Sequence, residues 1–389
     1  MRIGIDARSI LNPKKGDAIG VGHYTYQLIR HLLDMDTKNE YILFFDARVR
    51  QKDVRKFSRD NVKIVFYPFS DYKKYLLGAY NEILTSAVLA REKLDVLHVT
   101  STEVRVPMSY HGKLVVTLHD LGIYDMPECY KKASRIRIDI VKRLMIKKAH
   151  HVIAVSKSIQ KDSKKLSSNI MNRSTVIYSG LDKRFFAEKS VNKKNIPKKF
   201  GITKKYMLFL GTIEPIKNVT RLLYAFSLFK ESRIKKSAKE KFDYQLLIAG
   251  KPGWLSQDIK NLVKDLHLTK DVRFTGYVIG DELVPLFHNA KFFVLPSLYE
   301  GFGTTILEAF ATGTPVIVSD VGSIPEIAKG AAYLINPIDT KELAKVMNRF
   351  ANDKELREVY RMRGIERAKE FDWKKTAKET MKIYKNLAK

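Results

Sequence analysis

LYEGFGTTILEAFATGTPVIVSD, residues 298–320, joins two strands of one parallel sheet. It follows the apolar run KFFVLPS (291–297) and turns through Gly301-Phe302-Gly303. It then enters a helix at Thr304-Thr305 and returns as the apolar run TPVIVSD (314–320). A strand, a turn, a helix and a second strand make the repeating unit of an α/β sheet covered by helices. The same segment carries two carboxylates. Glu300 stands in the turn, and Glu308 follows eight residues later, ~12 Å of rise if both were helical. Glycines between them let backbone N–H groups approach an anion, and the helix start adds partial positive charge. That layout suits a molecule with a phosphate in its middle and hydroxyls at both ends. A Gly-Phe-Gly turn flanked by two solvated glutamates is the plainer alternative.

Working outward, YMLFLG (206–211), YQLLIAG (244–250), VRFTG (272–276) and AAYLI (331–335) read as further strands of the same half. The first half repeats the pattern with RIGIDA (2–7), YILFF (41–45), KIVFY (63–67), LDVLHV (94–99), KLVVTLHD (113–120), HVIAVS (151–156) and STVIYSG (174–180). Strands alternating with helices predict an α/β fold with parallel sheets. Residues 187–205 are polar, lysine-rich and without period, so they read as the join between two domains. The predicted division is 1–190, 203–370 and a closing amphipathic helix, 371–389.

The chain has 389 residues, too many for one ordinary core. Its 45% hydrophobic and 29% charged content excludes disordered and fibrous classes. No apolar run reaches the ~18–20 residues of a membrane-spanning helix. MRIGIDARSI reads as a strand and not a signal peptide, because Asp6 and Arg8 interrupt it. The single cysteine, Cys129, allows no internal disulfide and suits a cytoplasmic location. The net charge of +29 speaks of partners: nucleic acid, an anionic membrane surface or phosphorylated substrates. From Lys131 to Lys165 there are twelve Lys/Arg against Asp139 and Asp162. Within that stretch Ile136, Ile140, Leu144 and Ile146 recur at roughly helical intervals. A basic amphipathic helix of this kind either lies on a membrane surface or is a solvated face over a core.

Further candidates follow strands. In LGTIEPIKNV (210–219), Gly211 allows close approach and Lys217 offers a point charge to a diphosphate. In TLHDLG (117–122), His119 and Asp120 are placed to contact hydroxyls or relay a proton, or to form a structural pair. Gly20-Val21-Gly22, in the loop from Ala18 to Tyr24, begins a dinucleotide fingerprint but has Thr25 where the third glycine should stand. Asp34-Met35-Asp36 is an Asp-x-Asp string at a helix end. Two carboxylates are too few to hold a metal alone, and no zinc spacing is present.

Taken together, GIDARSI, GVGHYTYQLIRHL, TLHDL, AVSKSIQKD, VIYSGLD, LGTIEPIKN, LIAGKPGW, residues 292–327 and the closing FDW segment resemble glycosyltransferase family four, in the family's order over nearly the whole chain. Glu300-x7-Glu308 is the specific part. The resemblance implies the GT-B fold, two facing Rossmann-like domains with a deep interdomain cleft, an acceptor-binding first domain and a donor-binding second. The closing helix would cross back to the first domain. It implies that Glu308 binds the donor's ribose hydroxyls, Glu300 faces the transferred sugar, and Lys217 neutralises the departing diphosphate with N–H groups near Gly303 and Thr304. His119 would lie over the sugar from the opposite domain, Gly20 and Gly22 would border the phosphate and acceptor, and Gly211 and Thr212 would line the donor. Thr212 and Ile216 stand where relatives often carry arginine, so one expected positive charge is missing or is supplied elsewhere by a nearby Lys or Arg.

The resemblance further implies a retaining mannosyltransferase-like enzyme without cofactor or required metal. The donor it favours is GDP-mannose and the acceptor a glycan or lipid-linked molecule in surface polysaccharide assembly. The enzyme would be cytoplasmic, and peripheral on an anionic membrane, with no nucleic-acid partner. Rival readings are a GT-B sugar-nucleotide epimerase, which the Glu300–Glu308 segment does not suit, and a nucleic-acid-binding protein, for which no stacking platform or recognition motif stands out. An NAD enzyme is a third, and the incomplete glycine fingerprint argues against it.

Overall fold

Short runs such as Glu40–Phe45 (EYILFF), Phe292–Leu295 (FFVL) and Val316–Ser319 (VIVS) are almost wholly buried. Continuous apolar strands of this kind belong inside parallel sheets covered on both faces. The computed structural model describes residues 1–11, 20–67, 78–186, 199–236, 242–278 and 280–389. Two units result. The first comprises Met1–Leu121, Lys131–Gly180 and Asp372–Lys389; the second comprises Gly122–Tyr130 and Leu181–Phe371.

The first unit holds β1 (Arg2–Asp6), β2 (Glu40–Phe45), β3 (Val62–Phe66), β4 (Val96–Val99), β5 (Lys113–Leu118), β6 (His151–Ala154) and β7 (Ser174–Val176), in the order β3-β2-β1-β4-β5-β6-β7. The second holds β8 (Lys205–Leu210), β9 (Tyr244–Ala249), β10 (Val272–Gly276), β11 (Phe292–Leu295), β12 (Val316–Ser319) and β13 (Tyr333–Ile335), in the order β10-β9-β8-β11-β12-β13. Every strand pairing among the described residues is parallel. Each sheet therefore reverses its winding once, between β1 and β4 in one unit and β8 and β11 in the other. Ligands of doubly wound sheets bind beyond the carboxyl ends of the strands at that reversal.

The unit boundaries differ from the sequence expectation of 1–190 and 203–370. Residues 122–130 pack with the second unit, because Gly122 lies against it: a Cβ there would sit 2.9 Å from Ile216, Tyr130 and Tyr299 side-chain atoms. Leu181 onward also belongs to that unit. The Leu181 N–H donates to the Phe371 carbonyl at 3.2 Å, and the Phe185 ring packs edge-on to Phe287. Local composition does not reveal such long-range packing. Most of the expected join, 187–198, lies outside the described residues, as does Ala18 of the glycine loop.

The closing helix, Trp373–Leu387, is capped by Asp372, whose side chain accepts from the Lys374 N–H. It packs within the first unit. Tyr384 Oη lies 2.5 Å from His98 Nδ1, and Thr376 Oγ1 donates to the Tyr178 carbonyl at 2.7 Å. Gly180 is required at its start, since a Cβ would fall 2.2 Å from the Trp373 nitrogen. Trp373, which carries no signal in the sequence, is buried against Tyr24 and His31 and anchors that helix.

Candidate active site

In the second unit, the loops leaving β8 and β11 are tied together. The Leu298 N–H donates to the Ile216 carbonyl at 2.8 Å. Asn218, in the left-handed region at φ 58°, gives its side-chain amide to the Pro296 and Pro337 carbonyls at 2.9 and 2.8 Å. These ties bring Lys217, from one loop, to Glu300, from the other. Lys217 Nζ is 2.5 Å from Glu300 Oε1, and Ser297 Oγ donates to the same oxygen at 2.8 Å. The backbone carbonyl of Glu300 accepts from the Ser323 N–H and hydroxyl at 3.1 and 3.0 Å. Gly322, at φ 55°, permits that approach, because a Cβ would lie 2.6 Å from the Glu300 oxygen. The sequence reading names Lys217 and Glu300. It misses Asn218, Ser297, Ser323 and Gly322, which hold them. Their signal was their place in the quoted segments, but no local rule marks a side chain that bonds a carbonyl far along the chain.

Gly303, at φ 87°, stands at the start of helix Thr304–Ala311, and no side chain caps that end. Its first N–H groups, from Thr304 onward, therefore face whatever lies beyond β11, as an anion site requires. Only Glu308 of the carboxylate pair is helical, so the ~12 Å rise, which assumed a continuous helix, does not describe their separation. Glu308 is 3% exposed, and its Oε2 has no hydrogen-bond partner. Burial pushes its carboxyl up to about 8; the Arg184 charge opposes that and Asp182 adds to it. A buried acid left unpaired in this way is costly and marks a functional candidate.

Around Gly211 the protein itself leaves room, since a Cβ there meets only ordinary contacts at 3.5 Å or more. The tight approach belongs to Gly250, whose Cβ would lie 1.8 Å from the Gly211 oxygen. Thr212 is half-buried in the same loop, while Ile216 is buried with its carbonyl bonded to Leu298. A charged side chain at 216 would need to leave that packing.

In the first unit, His119 follows β5 and its Nε2 is 2.8 Å from the Thr100 carbonyl. A carbonyl only accepts, so Nε2 carries the proton and Nδ1 is the acceptor. Burial lowers its pKa to about 4, with the Thr100 contact opposing and the Lys142 charge assisting. At neutral pH His119 is therefore an uncharged acceptor suited to orient a hydroxyl, not a proton donor. Tyr24 packs edge-on to it at 4.6 Å. Asp120 meets Lys142 through its backbone carbonyl, at 2.5 Å. Gly20 and Gly22 are not in a loop before a helix. They form the first turn of helix Gly20–Met35, with Gly20 exposed at φ 72° and open space around it. Thr25 is fully buried, 2.8 Å from the Val21 carbonyl and 2.7 Å from Thr100 Oγ1, a packing role unlike that of a fingerprint glycine. Asp36 spends its carboxylate on Asn39, Lys38 and Tyr41, and Asp34 pairs with Arg59. Among the described residues no cluster of His, Cys, Asp or Glu could hold a metal.

A doubly wound sheet pair with a lysine, a glutamate and an uncapped helix start at one reversal is the outline of a nucleotide-sugar transferase. The chain belongs to the group 1 glycosyltransferases: the family model "Glycosyl transferases group 1" matches residues 192–367 and "Glycosyltransferase Family 4" matches 19–185. It is similar to the O-antigen chain mannosyltransferase B of Escherichia coli, 27% identical over 96% of this chain and 98% of that protein. Among solved structures it is similar to sucrose-phosphate synthase from Thermosynechococcus elongatus, with TM-score 0.75, 19% identity, and 100% and 99% coverage. It is also similar to the Anabaena protein HepE in complex with UDP and glucose, with TM-score 0.76, 17% identity, and 99% and 100% coverage. The fold is GT-B, and the chain is a glycosyltransferase of the kind found in polysaccharide synthesis.

The buried Glu308 gives a pH test. Its native pKa of about 8 lies above the ordinary 4.5. Between those values the native state holds a proton that the unfolded chain releases. Stability is therefore full below 4.5 and falls as pH rises to 8, by up to ~1.4 kcal/mol per pH unit. Glu308→Gln should abolish that decline. In urea denaturation at pH 8.5 the variant should be more stable than the parent by roughly 1–4 kcal/mol, yet bind nucleotide more weakly. A variant less stable than the parent at pH 8.5 contradicts the assignment.

Proposed function

We propose that this chain is a retaining mannosyltransferase that moves mannose from GDP-mannose to a glycan or lipid-linked acceptor at an anionic membrane surface. The observation that carries the reading is the Lys217–Glu300 pair at the sheet reversal beside the uncapped helix start at Gly303. The mannosyltransferase named among the relatives supports the choice of sugar.

The leaving group is a nucleoside diphosphate, so the protein's main task is charge stabilisation. Lys217 has three N–H donors. One can stay with Glu300 while another meets a diphosphate oxygen, and the helix N–H groups from Thr304 supply the rest. No metal is required in this scheme. Glu300 would be freed in part to hold hydroxyls of the mannose, and Glu308 would take the ribose. His119 would accept from a sugar hydroxyl through Nδ1. The C1–O bond to the diphosphate breaks and its electron pair stays with GDP. The acceptor oxygen attacks C1 from the same face, and its proton passes to the departing phosphate oxygen.

This is tested by calorimetric titration, in EDTA, with GDP-mannose, GDP, UDP-glucose and UDP-N-acetylglucosamine. Guanosine-selective binding, weakened tenfold or more in Glu308→Ala, is the expected result, since a lost charged hydrogen bond is worth about 1.5–3 kcal/mol. Uridine-selective binding overturns the donor, and no binding overturns the site.

The membrane part rests on helix Lys132–Lys148. Its expected apolar stripe divides: Ile146 is buried with Met145, whereas Ile136 and Ile140 are 65% and 52% exposed among Arg135, Arg137 and Arg143. Two exposed isoleucines ringed by cations suit an anionic lipid surface. Among the described residues no helix is long and apolar enough to cross a membrane. In vesicle sedimentation the protein should bind phosphatidylglycerol-containing vesicles and ignore neutral ones, and Ile136→Glu/Ile140→Glu should bind at least tenfold more weakly, two apolar burials being worth more than ~1.4 kcal/mol. Equal binding by the variant contradicts it.

A further inference from the structure

The second unit contains a cation that neither the Lys217 loop nor the Glu300 loop supplies. Residues 179–186, SGLDKRFF, enter a short turn, Lys183–Phe186. Phe185 anchors that turn, 1% exposed with its ring against Phe287. Next to it, the Arg184 guanidinium carbon lies 5.0 Å from the Phe185 ring centre. The Arg184 backbone N–H donates to Asp182 Oδ1 at 3.0 Å. Its side chain is less well satisfied. Nε is 3.5 Å from Asp182 Oδ2, an ion-pair distance, but Nε and Nη2 are both shut off from the surface without a hydrogen-bond partner. Glu308 is in the same condition: its Oε2 is buried and unpartnered, and it feels the charge of Arg184.

A half-buried guanidinium and a buried carboxyl thus stand near each other, each with shut-off atoms that bond nothing. A guanidinium only donates, and a carboxylate only accepts. A phosphate between them would suit Arg184 but would be repelled by Glu308 wherever that carboxyl ionises. A hydroxyl suits both at once, because its oxygen accepts from the guanidinium while its hydrogen goes to the carboxylate. A vicinal diol offers two such hydroxyls, matching the orphaned Nε and Nη2 on one side and the unpartnered Glu308 oxygen on the other.

We propose that Arg184 is a donor-binding residue that seats the nucleotide's ribose diol jointly with Glu308. This rests on the nucleotide-sugar reading above and extends it to a residue outside the Glu300–Glu308 segment. Arg184 fixes the diol's acceptor side, and its charge opposes the burial that holds the Glu308 proton.

The test is a pair of calorimetric titrations with GDP and 2′-deoxy-GDP, repeated with UDP and 2′-deoxy-UDP, on the full chain and on Arg184→Ala. The unaltered protein should prefer the ribonucleotide by about tenfold or more, the worth of a charge-assisted hydrogen bond. Arg184→Ala should lose that preference by weakening ribonucleotide binding and leaving the deoxynucleotide nearly unchanged. Arg184→Lys, which keeps the charge and much of the stem, should lose most of it too, because one ammonium cannot replace two fixed N–H groups, and it serves if the alanine variant does not fold. A variant that keeps the full preference overturns the proposal and leaves the donor reading standing. Equal weakening of both nucleotides also overturns it, pointing to a phosphate or base contact. If the unaltered protein binds none of the four, the donor reading falls and this proposal with it.

Discussion

The donor half depends on a tie between two loops that leave neighbouring strands of opposite winding. Asn218 reaches from the β8 loop to the Pro296 carbonyl after β11, and Leu298 returns the tie to Ile216. Without them Lys217 and Glu300, 83 residues apart, would be held only by their own attraction. Even a partly buried ion pair contributes little if nothing else orders it, because two long side chains lose freedom in forming it. Fixed backbone turns that conformational loss into something already settled by folding. This is how a lysine and a glutamate become a fixed pair instead of a loose surface contact. It also explains why the tie uses Asn218: a left-handed residue with a side-chain amide can turn the chain and bond two carbonyls at once.

Glu308 shows the opposite economy. The fold shuts a carboxylate away from water and gives one of its oxygens no partner. Hydrophobic neighbours in helix Thr304–Ala311, Ile306, Leu307, Ala309 and Phe310, are all buried, so the helix is stable enough to carry that cost. A group kept in an unfavourable state gains most from a ligand that satisfies it. His119 obeys the same logic in the other unit. Burial and a carbonyl bond hold it neutral in one tautomer, which excludes acid catalysis at neutral pH and leaves it an acceptor.

Much of this was legible in the chain. Most strands among the described residues follow from apolar runs bounded by turn residues, because the middle of a parallel sheet is buried on both faces and leaves no polar alternation to interpret. Lys217, Glu300 and Gly303 are candidates in the sequence because each follows a strand, where doubly wound sheets bind ligands, and Glu308 because it lies in the helix that the same segment opens. What escaped was set by distance along the chain. The need for glycine at 250 instead of 211, the packing of 122–130 with the second unit and the burial of Trp373 against Gly180 all arise from partners far away in sequence. The helix start at Gly20 was misplaced because two glycines read locally as a loop, whereas the buried face from His23 to Leu33 carries the helix through them.

The central claim is that Lys217, fixed by Glu300 and the Asn218 tie, takes the charge of the donor's diphosphate. It is tested most directly by measuring, calorimetrically, how Lys217→Ala changes the affinities of GDP and guanosine. The account predicts that GDP binding falls by about tenfold or more, the scale of a lost charged contact, while guanosine binding hardly changes. Equal losses for the two, or none for GDP, would contradict it.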